Sequence, residues 1–565
     1  MERVWLSRLG HHLNVIANPT RRCRGTFRAD RCNDGVGHRS LSSCLYGGSD
    51  PARRHRKVQR VGVGRGGKQR PFSARLSINP ILGSKGSSPY RYSVQEVESA
   101  INSDREARLG GPKKGDKVVV AMSGGVDSSV TALLLAQQDF DLRAVFMRNW
   151  STLEEGDSFE PGSGGSSGCE WQEDWNDVQN VCRHLGGIPV EMIDLSKEYW
   201  VHVFEPALGD WETGTTPNPD VDCNREIKFG KLMDRLLGPP KSPSLETMTP
   251  SSEPKTWLAT GHYAEVGWYV DPETGISRPK LMRAKDRSKD QTYYLSSVKE
   301  ERLSSAHFPL APFLKAEVRE MAIKNQLPTA RRKESMGICF VGNRGKRSGF
   351  AEGFLEDYIE NKPGDIVDDR GNVVGRHRGL HSFTVGQSAR IPGAKSKYLV
   401  ARKERESNSI VVVQGKDHAM LNCVSLTVEK MNWIWSQPPS ELSADSEEGP
   451  LDPSNELCRE HPLQVTRGGE GGQASDHIDP VPIGSKGLRV KAQVRHRQDQ
   501  VDCTIFNVVP SSSSTQGSRY RVEFDQSLGS VATGQVAAFW RGDWCLGSGV
   551  ISHVETMWDR SNGLG

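Results

Sequence analysis

Lys117-Val118-Val119-Val120-Ala121-Met122-Ser123-Gly124-Gly125-Val126-Asp127-Ser128-Ser129-Val130, continued by Thr131-Ala132-Leu133-Leu134-Leu135, decides the fold. The β-branched run reads as a buried strand, Ser-Gly-Gly breaks it, and the apolar pattern resumes as a helix. Paired glycines let the backbone bend and approach a ligand closely, and the hydroxyls are expected beside the unsatisfied N–H groups of the first helical turn. A terminus of this kind attracts anions, phosphate above all.

Downstream, residues 142–148 read as a second strand, 175–185 as a helix stopped by Gly186-Gly187, 188–195 as a third strand and 257–260 as another. Strands alternating with helices predict an α/β fold with a doubly wound parallel sheet, whose ligands sit at the carboxyl ends of the strands. From Gly364 the pattern changes to short apolar runs at 365–367, 380–385, 398–400 and 410–413, separated by glycines and charged turns; these predict short strands and β-barrels. Gly/Ser/Pro-rich stretches near 156–168 and 239–255 read as insertions, and a polar stretch near 436–486 as a disordered one.

The 565 residues suffice for roughly three or four domains of about 150 residues. Hydrophobic residues at 35% and a mean hydropathy of -0.58 indicate folded cores diluted by polar segments. A net charge of +4 leaves any nucleic-acid partner to be argued from local features. No stretch reaches the apolar length of a membrane span, so no membrane partner is expected. The first 90 residues stand apart: Trp5, Leu9, Leu13 and Ile16 recur at helical spacing beside Arg3 and Arg8, and an Arg/Ser/Gly tract poor in acids follows. That composition matches a mitochondrial targeting leader.

The 11 cysteines form no Cys-x-x-Cys pair and no zinc-finger cluster, so no structural metal is expected. Two invite chemistry. Cys223 stands in Asn218-Pro219-Asp220-Val221-Asp222-Cys223-Asn224-Arg225, where the prolines hold the chain extended and residues 224–236 look helical; a helix dipole there would lower the thiol's pKa. The polar neighbours make this a poor site for an inert apolar cysteine. Cys339 lies in Gly337-Ile338-Cys339-Phe340, a glycine-flanked apolar strand that by itself reads as a core thiol.

Ser-Gly-Gly-Val-Asp-Ser-Ser resembles the pyrophosphate loop (PP-loop) of the ATP pyrophosphatases, an adenine nucleotide alpha hydrolase-like group. Combined with Asn218-Pro219-Asp220 and Cys223, Thr260-Gly261-His262-Tyr263-Ala264, Lys289-Asp290-Gln291 and Gly337-Ile338-Cys339-Phe340, the chain is similar to the tRNA-specific 2-thiouridylase family and, with its leader, to the mitochondrial form. The resemblance runs from about 117 to 551. It implies a leader at 1–90, a PP-loop catalytic domain at 110–345, a small central β domain at 346–415 and a C-terminal tRNA-binding β-barrel at 421–555.

The resemblance also implies roles. Ser123, Gly124, Gly125, Val126, Asp127, Ser128 and Ser129 would hold the pyrophosphate of ATP with Mg²⁺ balancing charge, while Ala121, Met122, Met147 and Gly261 line the nucleotide site. Cys339 would carry sulfur as a persulfide, and Cys223 would be the nucleophile that helps release it, closing a transient disulfide. Asp220 is the proton-transfer candidate. Asn218, Pro219 and Asp220 would meet the flipped uridine 34. His262, Lys289, Asp290, Gln291, Arg495, His496 and Gln535 would contact tRNA, although the family usually has Arg-Tyr where this chain has Arg495-His496. A cysteine desulfurase or sulfur-relay protein and a cellular reductant are the implied partners. Two other readings compete: another PP-loop enzyme such as a 4-thiouridine synthetase, which should bring an additional domain not found here, and a noncatalytic RNA-binding protein, in which the loop or a cysteine should have decayed.

Overall fold

The computed structural model describes residues 110–150, 170–239, 254–270, 277–333, 354–439, 442, 487–508 and 518–564. The leader, the 156–168 insertion, most of 239–255 and 436–486, and Cys339 lie outside the described residues.

The opening stretch forms β1 (Lys117–Met122) and helix α1 (Val126–Ala136). Next come β2 (Asp141–Arg148), helix α2 (Glu170–His184), β3 (Val190–Asp194) and β4 (Thr256–Thr260). An antiparallel hairpin, β5 (Ala264–Val270) and β6 (Ser277–Arg283), precedes β7 (Ala306–His307) and helix α3 (Lys315–Lys324). The sheet order β3-β2-β1-β4-β7 is parallel throughout. Val118, Val119 and Val120 are all buried because helices cover both faces, which is why this strand is continuously apolar rather than alternating. One face packs Val118, Val120 and Phe146 on Val178 and Val181 of α2; the other packs Val119 and Val145 on Tyr199, Phe204 and Ile227.

The second sheet holds β8 (Gly364–Asp368), β9 (Val373–His377), β10 (Tyr398–Glu404) and β11 (Ser409–Gln414) in the order β10-β11-β8-β9; only β11 and β8 run parallel. The strand expected at 380–385 is instead a 3-10 turn over Leu380–Ser382. Leu380 and His381 are both buried, and neighbours in a strand point to opposite faces, so a one-sided sheet could not bury the pair.

Six strands close the third unit: β12 (Asn422–Trp433), β13 (Leu488–Gln493), β14 (Val501–Val508), β15 (Arg519–Gly529), β16 (Val536–Arg541) and β17 (Trp544–Thr556). The order β12-β15-β14-β13-β16-β17 returns through β12–β17 pairing to a closed antiparallel barrel. Its interior holds Leu426, Val490, Ile505, Val522, Phe539 and Ile551. β6 pairs with β17 through Met282↔Trp544 and Leu281↔Cys545, so the β5–β6 hairpin extends the barrel's sheet. Among the described residues, no helix is long and apolar enough to cross a membrane.

Candidate active site

The phosphate-type turn is built by glycines. Gly124 has φ +75, and an added Cβ there would stand 2.8 Å from the Asp174 carbonyl oxygen. The hydroxyls lie in the first helical turn but do not cap it: Ser128 Oγ and Ser129 Oγ donate to the Gly125 carbonyl at 3.1 and 2.8 Å, and α1 has no side-chain N-cap. Ser128 Oγ also accepts from Ser123 N at 3.2 Å. The hydroxyls therefore brace the loop, and the first-turn N–H groups are left to an anionic ligand. Gly261, at the end of β4, meets the same turn; a Cβ there would stand 2.9 Å from Ser128 N. Ala121 and Met147 sit on neighbouring strands and pack partly buried against one core, whereas Met122 is buried in the opposite one.

Three residues that spacing did not single out hold this loop. Lys315 Nζ donates to both oxygens of Asp127, and Tyr263 Oη donates to Asp127 Oδ1 at 2.9 Å. Arg332 donates to the Gly124 carbonyl at 3.1 Å and pairs with Asp174 and Asp177. Isolated cations leave no spacing signature; Tyr263 stands beside His262 in the sequence motif, which gives it no role.

Cys223 does not precede a helix. Pro219–Asp222 is already α-helical, Cys223–Leu232 continues with π-type hydrogen bonding, and Met233–Leu237 returns to α. Proline is favoured in a first helical turn, so Pro219 opens the helix and moves Cys223 inside it. The thiol is buried, which corrects the expectation of a cysteine at a dipole end. Wider π turns recur at functional sites because they re-aim side chains. Here the π segment carries Lys228, whose positive charge acts on both Asp220 and His262.

Asp220 is partly buried, and that burial raises its carboxyl pKa, with Lys228 opposing. His262 is held well below the usual imidazole range by burial and then by Lys228; one ring nitrogen lies 2.7 Å from Thr260 Oγ1, and the ring packs near Phe229 and Phe308. Asn224 Nδ2 donates to the Asp220 carbonyl at 2.9 Å. Asn218 Nδ2 donates to Tyr293 Oη at 3.3 Å, and that phenol donates to the Val536 carbonyl at 3.0 Å on the barrel.

The barrel's loop after β13 closes the site. His496 packs against Tyr294 in a tilted arrangement, with ring centroids 4.4 Å apart and planes at 34°, and burial lowers its pKa. Arg495 feels the Tyr293 phenol, while His496 feels Asp290 and Lys289. Asp290 is committed to structure: it pairs with Arg283 at 2.8 Å and accepts from Thr292 Oγ1 at 2.9 Å. Gln291 exchanges hydrogen bonds with the Tyr263 backbone. Gln535 Nε2 donates to the carbonyls of Thr216 and Pro217, two residues and one residue before Asn218. Thus Asn218, Asp220, His262, Arg495, His496 and Gln535 converge, while Asp290 and Gln291 serve the scaffold. Consecutive residues His262 and Tyr263 face Phe229 of the π segment and Asp127 of the glycine turn respectively, joining the two halves.

The other described cysteines are core thiols: burial pushes Cys182 up to about 11 and Cys503 up to about 12, and raises Cys423 and Cys545 too.

Comparison with known proteins adds the following. Residues 116–343 match the family model described as tRNA methyl transferase HUP domain, 352–414 the tRNA methyl transferase PRC-barrel domain, and 475–551 the aminomethyltransferase beta-barrel domain. A protein of Psychrobacter sp. named tRNA-specific 2-thiouridylase MnmA is 35% identical over 446 residues, 78% of this chain and 93% of its own. Proteins with the same name from Burkholderia thailandensis and Cupriavidus necator are each 34% identical, covering 78% and 77% of this chain and 94% and 99% of theirs.

Proposed function

Because the chain belongs to the tRNA-specific 2-thiouridylase family of sulfurtransferases, we propose that it replaces the C2 oxygen of wobble uridine 34 by sulfur, with ATP as co-substrate, in mitochondrial tRNAs for Lys, Glu and Gln. The observation that carries this reading is an uncapped phosphate-type turn held by Tyr263, next to His262, whose ring shares the charge of Lys228 with the part-buried carboxylate of Asp220.

The residues fit ATP. The uncapped N–H groups of α1 receive phosphate, and the missing side chain at Gly261 leaves room beside Ser128. Among the described residues no cluster of His, Cys, Asp and Glu forms a metal cage, and Asp127 is already held by Lys315 and Tyr263. Mg²⁺ would accompany the nucleotide's phosphates as counter-ion, its ordinary mode.

Uridine's C2 oxygen is a poor leaving group, and adenylation with loss of pyrophosphate converts it to one that departs as AMP. Asp220, its pKa raised by burial, takes the proton that the base gives up. Sulfur arrives on Cys339 as a persulfide. Attack by the Cys223 thiolate on the Cys339 sulfur forms the Cys223–Cys339 disulfide and expels hydrosulfide, which adds at C2 as AMP leaves; a dithiol reductant then reopens the disulfide. Asn218 and Pro219 border the flipped base, and Tyr294–His496 offers a stacking surface. A cysteine desulfurase or a relay protein supplies the persulfide. The basic leader supports a matrix location.

Mass spectrometry of nucleoside 34 from mitochondrial tRNA, with and without this protein, tests the reading. Unchanged 2-thiouridine sinks it, and sulfur at another position would favour a 4-thiouridine-type enzyme. Cys339→Ser is expected to abolish sulfur incorporation while leaving tRNA binding intact.

A further inference from the structure

Thr216 sends every one of its polar atoms out of the catalytic domain. Its N–H donates to the Thr533 carbonyl at 3.0 Å, and its carbonyl accepts from Gln535 Nε2 at 2.8 Å, both on the barrel. Its Oγ1 accepts from Lys403 Nζ at 3.2 Å, on β10 of the small sheet. The same ammonium donates to the Phe383 carbonyl at 2.9 Å. The approach leaves no slack: Gly534 has φ +85, and a Cβ there would stand 2.8 Å from Thr216 N. One turn earlier, Gly214, at φ +83, lies 3.1 Å by the same construction from the side chain of Leu380 of the small domain. Thr215 is fixed from within by its hydrogen bonds to the Asp210 carbonyl. The first residue after this clamp that could face a base is Asn218.

We propose that Lys403 is a positioning residue for thiolation, holding Thr216 so that Asn218, Pro219 and Asp220 stand at the correct depth against the target uridine. This gives the small β domain a part in turnover without contact with the base, and it rests on the proposed function of residues 218–220. The partners of Lys403 are a hydroxyl and a carbonyl, and burial pulls its pKa down to about 8; His381 is the titratable neighbour that feels its charge. A desolvated lysine bonded only to neutral groups is costly to keep, and the shared loop supplies a reason for keeping it. The barrel holds Thr216 through that residue's backbone, by the Thr533 carbonyl and the Gln535 side chain. Without Lys403 the loop loses the bond that ties Thr216 to the small domain among the described residues, while the barrel contacts persist.

The test uses the full-length chain, unmodified tRNA transcript, ATP and inorganic sulfide, and reads 2-thiouridine by nucleoside mass spectrometry. Lys403→Met keeps the stem and removes the donor; Thr216→Val keeps the shape and removes the acceptor. Each is expected to lower kcat by about tenfold, on the order of what a sub-ångström misplacement costs, with tRNA affinity and KM for tRNA within about twofold of wild type. The double variant should fall no further than the worse single one, because both remove the same bond. Lys403→Arg should recover most of the rate. Wild-type kcat in Lys403→Met, fully multiplicative losses in the double variant, or losses that follow a fall in tRNA affinity or melting temperature would overturn the inference. A wild-type protein that forms no 2-thiouridine would overturn the proposed function itself, which separates the two failures.

Discussion

Lys315 Nζ lies 2.6 and 2.7 Å from the two carboxylate oxygens of Asp127 and so grips the first turn of α1 from the start of α3. The ammonium is mostly buried and the carboxylate about one-third exposed. Breaking such a pair leaves one charge partly desolvated. Lys315→Met is expected to cost about 1–3 kcal/mol, between the exposed and buried limits, and to weaken ATP binding. Urea denaturation and calorimetric ATP titration check the two effects; unchanged values in both would show that the pair is idle.

Gly261→Ala places a methyl 2.9 Å from Ser128 N and 3.0 Å from Asp127 C, both backbone atoms that cannot swing aside. The turn must shift. ATP affinity should fall by about tenfold or more, the equivalent of ~1.4 kcal/mol, with tRNA binding unchanged in a filter assay.

Burial raises the Asp220 pKa and Lys228 opposes that rise. If the carboxylate is the base, the rate climbs with pH as Asp220 deprotonates. Removing Lys228 lets the pKa rise further, so Lys228→Met should move the acid limb of the single-turnover rate to higher pH. An acid limb that stays in place, or moves down, contradicts the assignment of Asp220.

The His496 and Tyr294 rings lie with centroids 4.4 Å apart. A stacked ring counts for about 1–3 kcal/mol per base by alanine substitution. His496→Ala is therefore expected to weaken tRNA binding by about tenfold, and His496→Tyr to hold wild-type affinity, measured by fluorescence anisotropy at one fixed salt concentration.

Burial pulls the Lys403 pKa down to about 8, from the 10.5 of an exposed lysine. Between those values the unfolded chain binds the extra proton, so unfolding takes up protons and stability rises with pH across that window. Wild type minus Lys403→Met, by urea denaturation at pH 7.5 and about 10, should show the wild type gaining relative stability at the higher pH. The opposite slope would exclude a desolvated ammonium.

The parallel sheet and the loop were legible because Val118 to Val120 and Ser123 to Gly125 carry local signals: a continuous apolar run and a glycine break. The small-sheet strands around 365–367, 398–400 and 410–413 were legible for the same reason, whereas the C-terminal barrel was expected only from the family resemblance. The π segment was not, since Cys223 to Leu232 has ordinary helical composition and its hydrogen-bond register depends on packing. Nor could sequence show that Gln535 bonds Thr216, 319 residues earlier, or that Lys315 reaches Asp127, 188 residues earlier. Such pairs are set by how the domains dock. The 380–385 expectation failed because the apolar pattern there reflects a turn buried on both sides against Gly214 and its own sheet.

The pairing of β6 with β17 also constrains the order in which the chain can mature. Met282 and Leu281 wait for Trp544 and Cys545, so during synthesis the hairpin presents an unfilled sheet edge until almost the whole polypeptide has emerged. Open edges recruit foreign strands, and distant pairings form slowly. A nascent or truncated chain ending before Trp544 is thus the species most exposed to aggregation, and a chaperone that shields β-edges would serve this protein most during that interval.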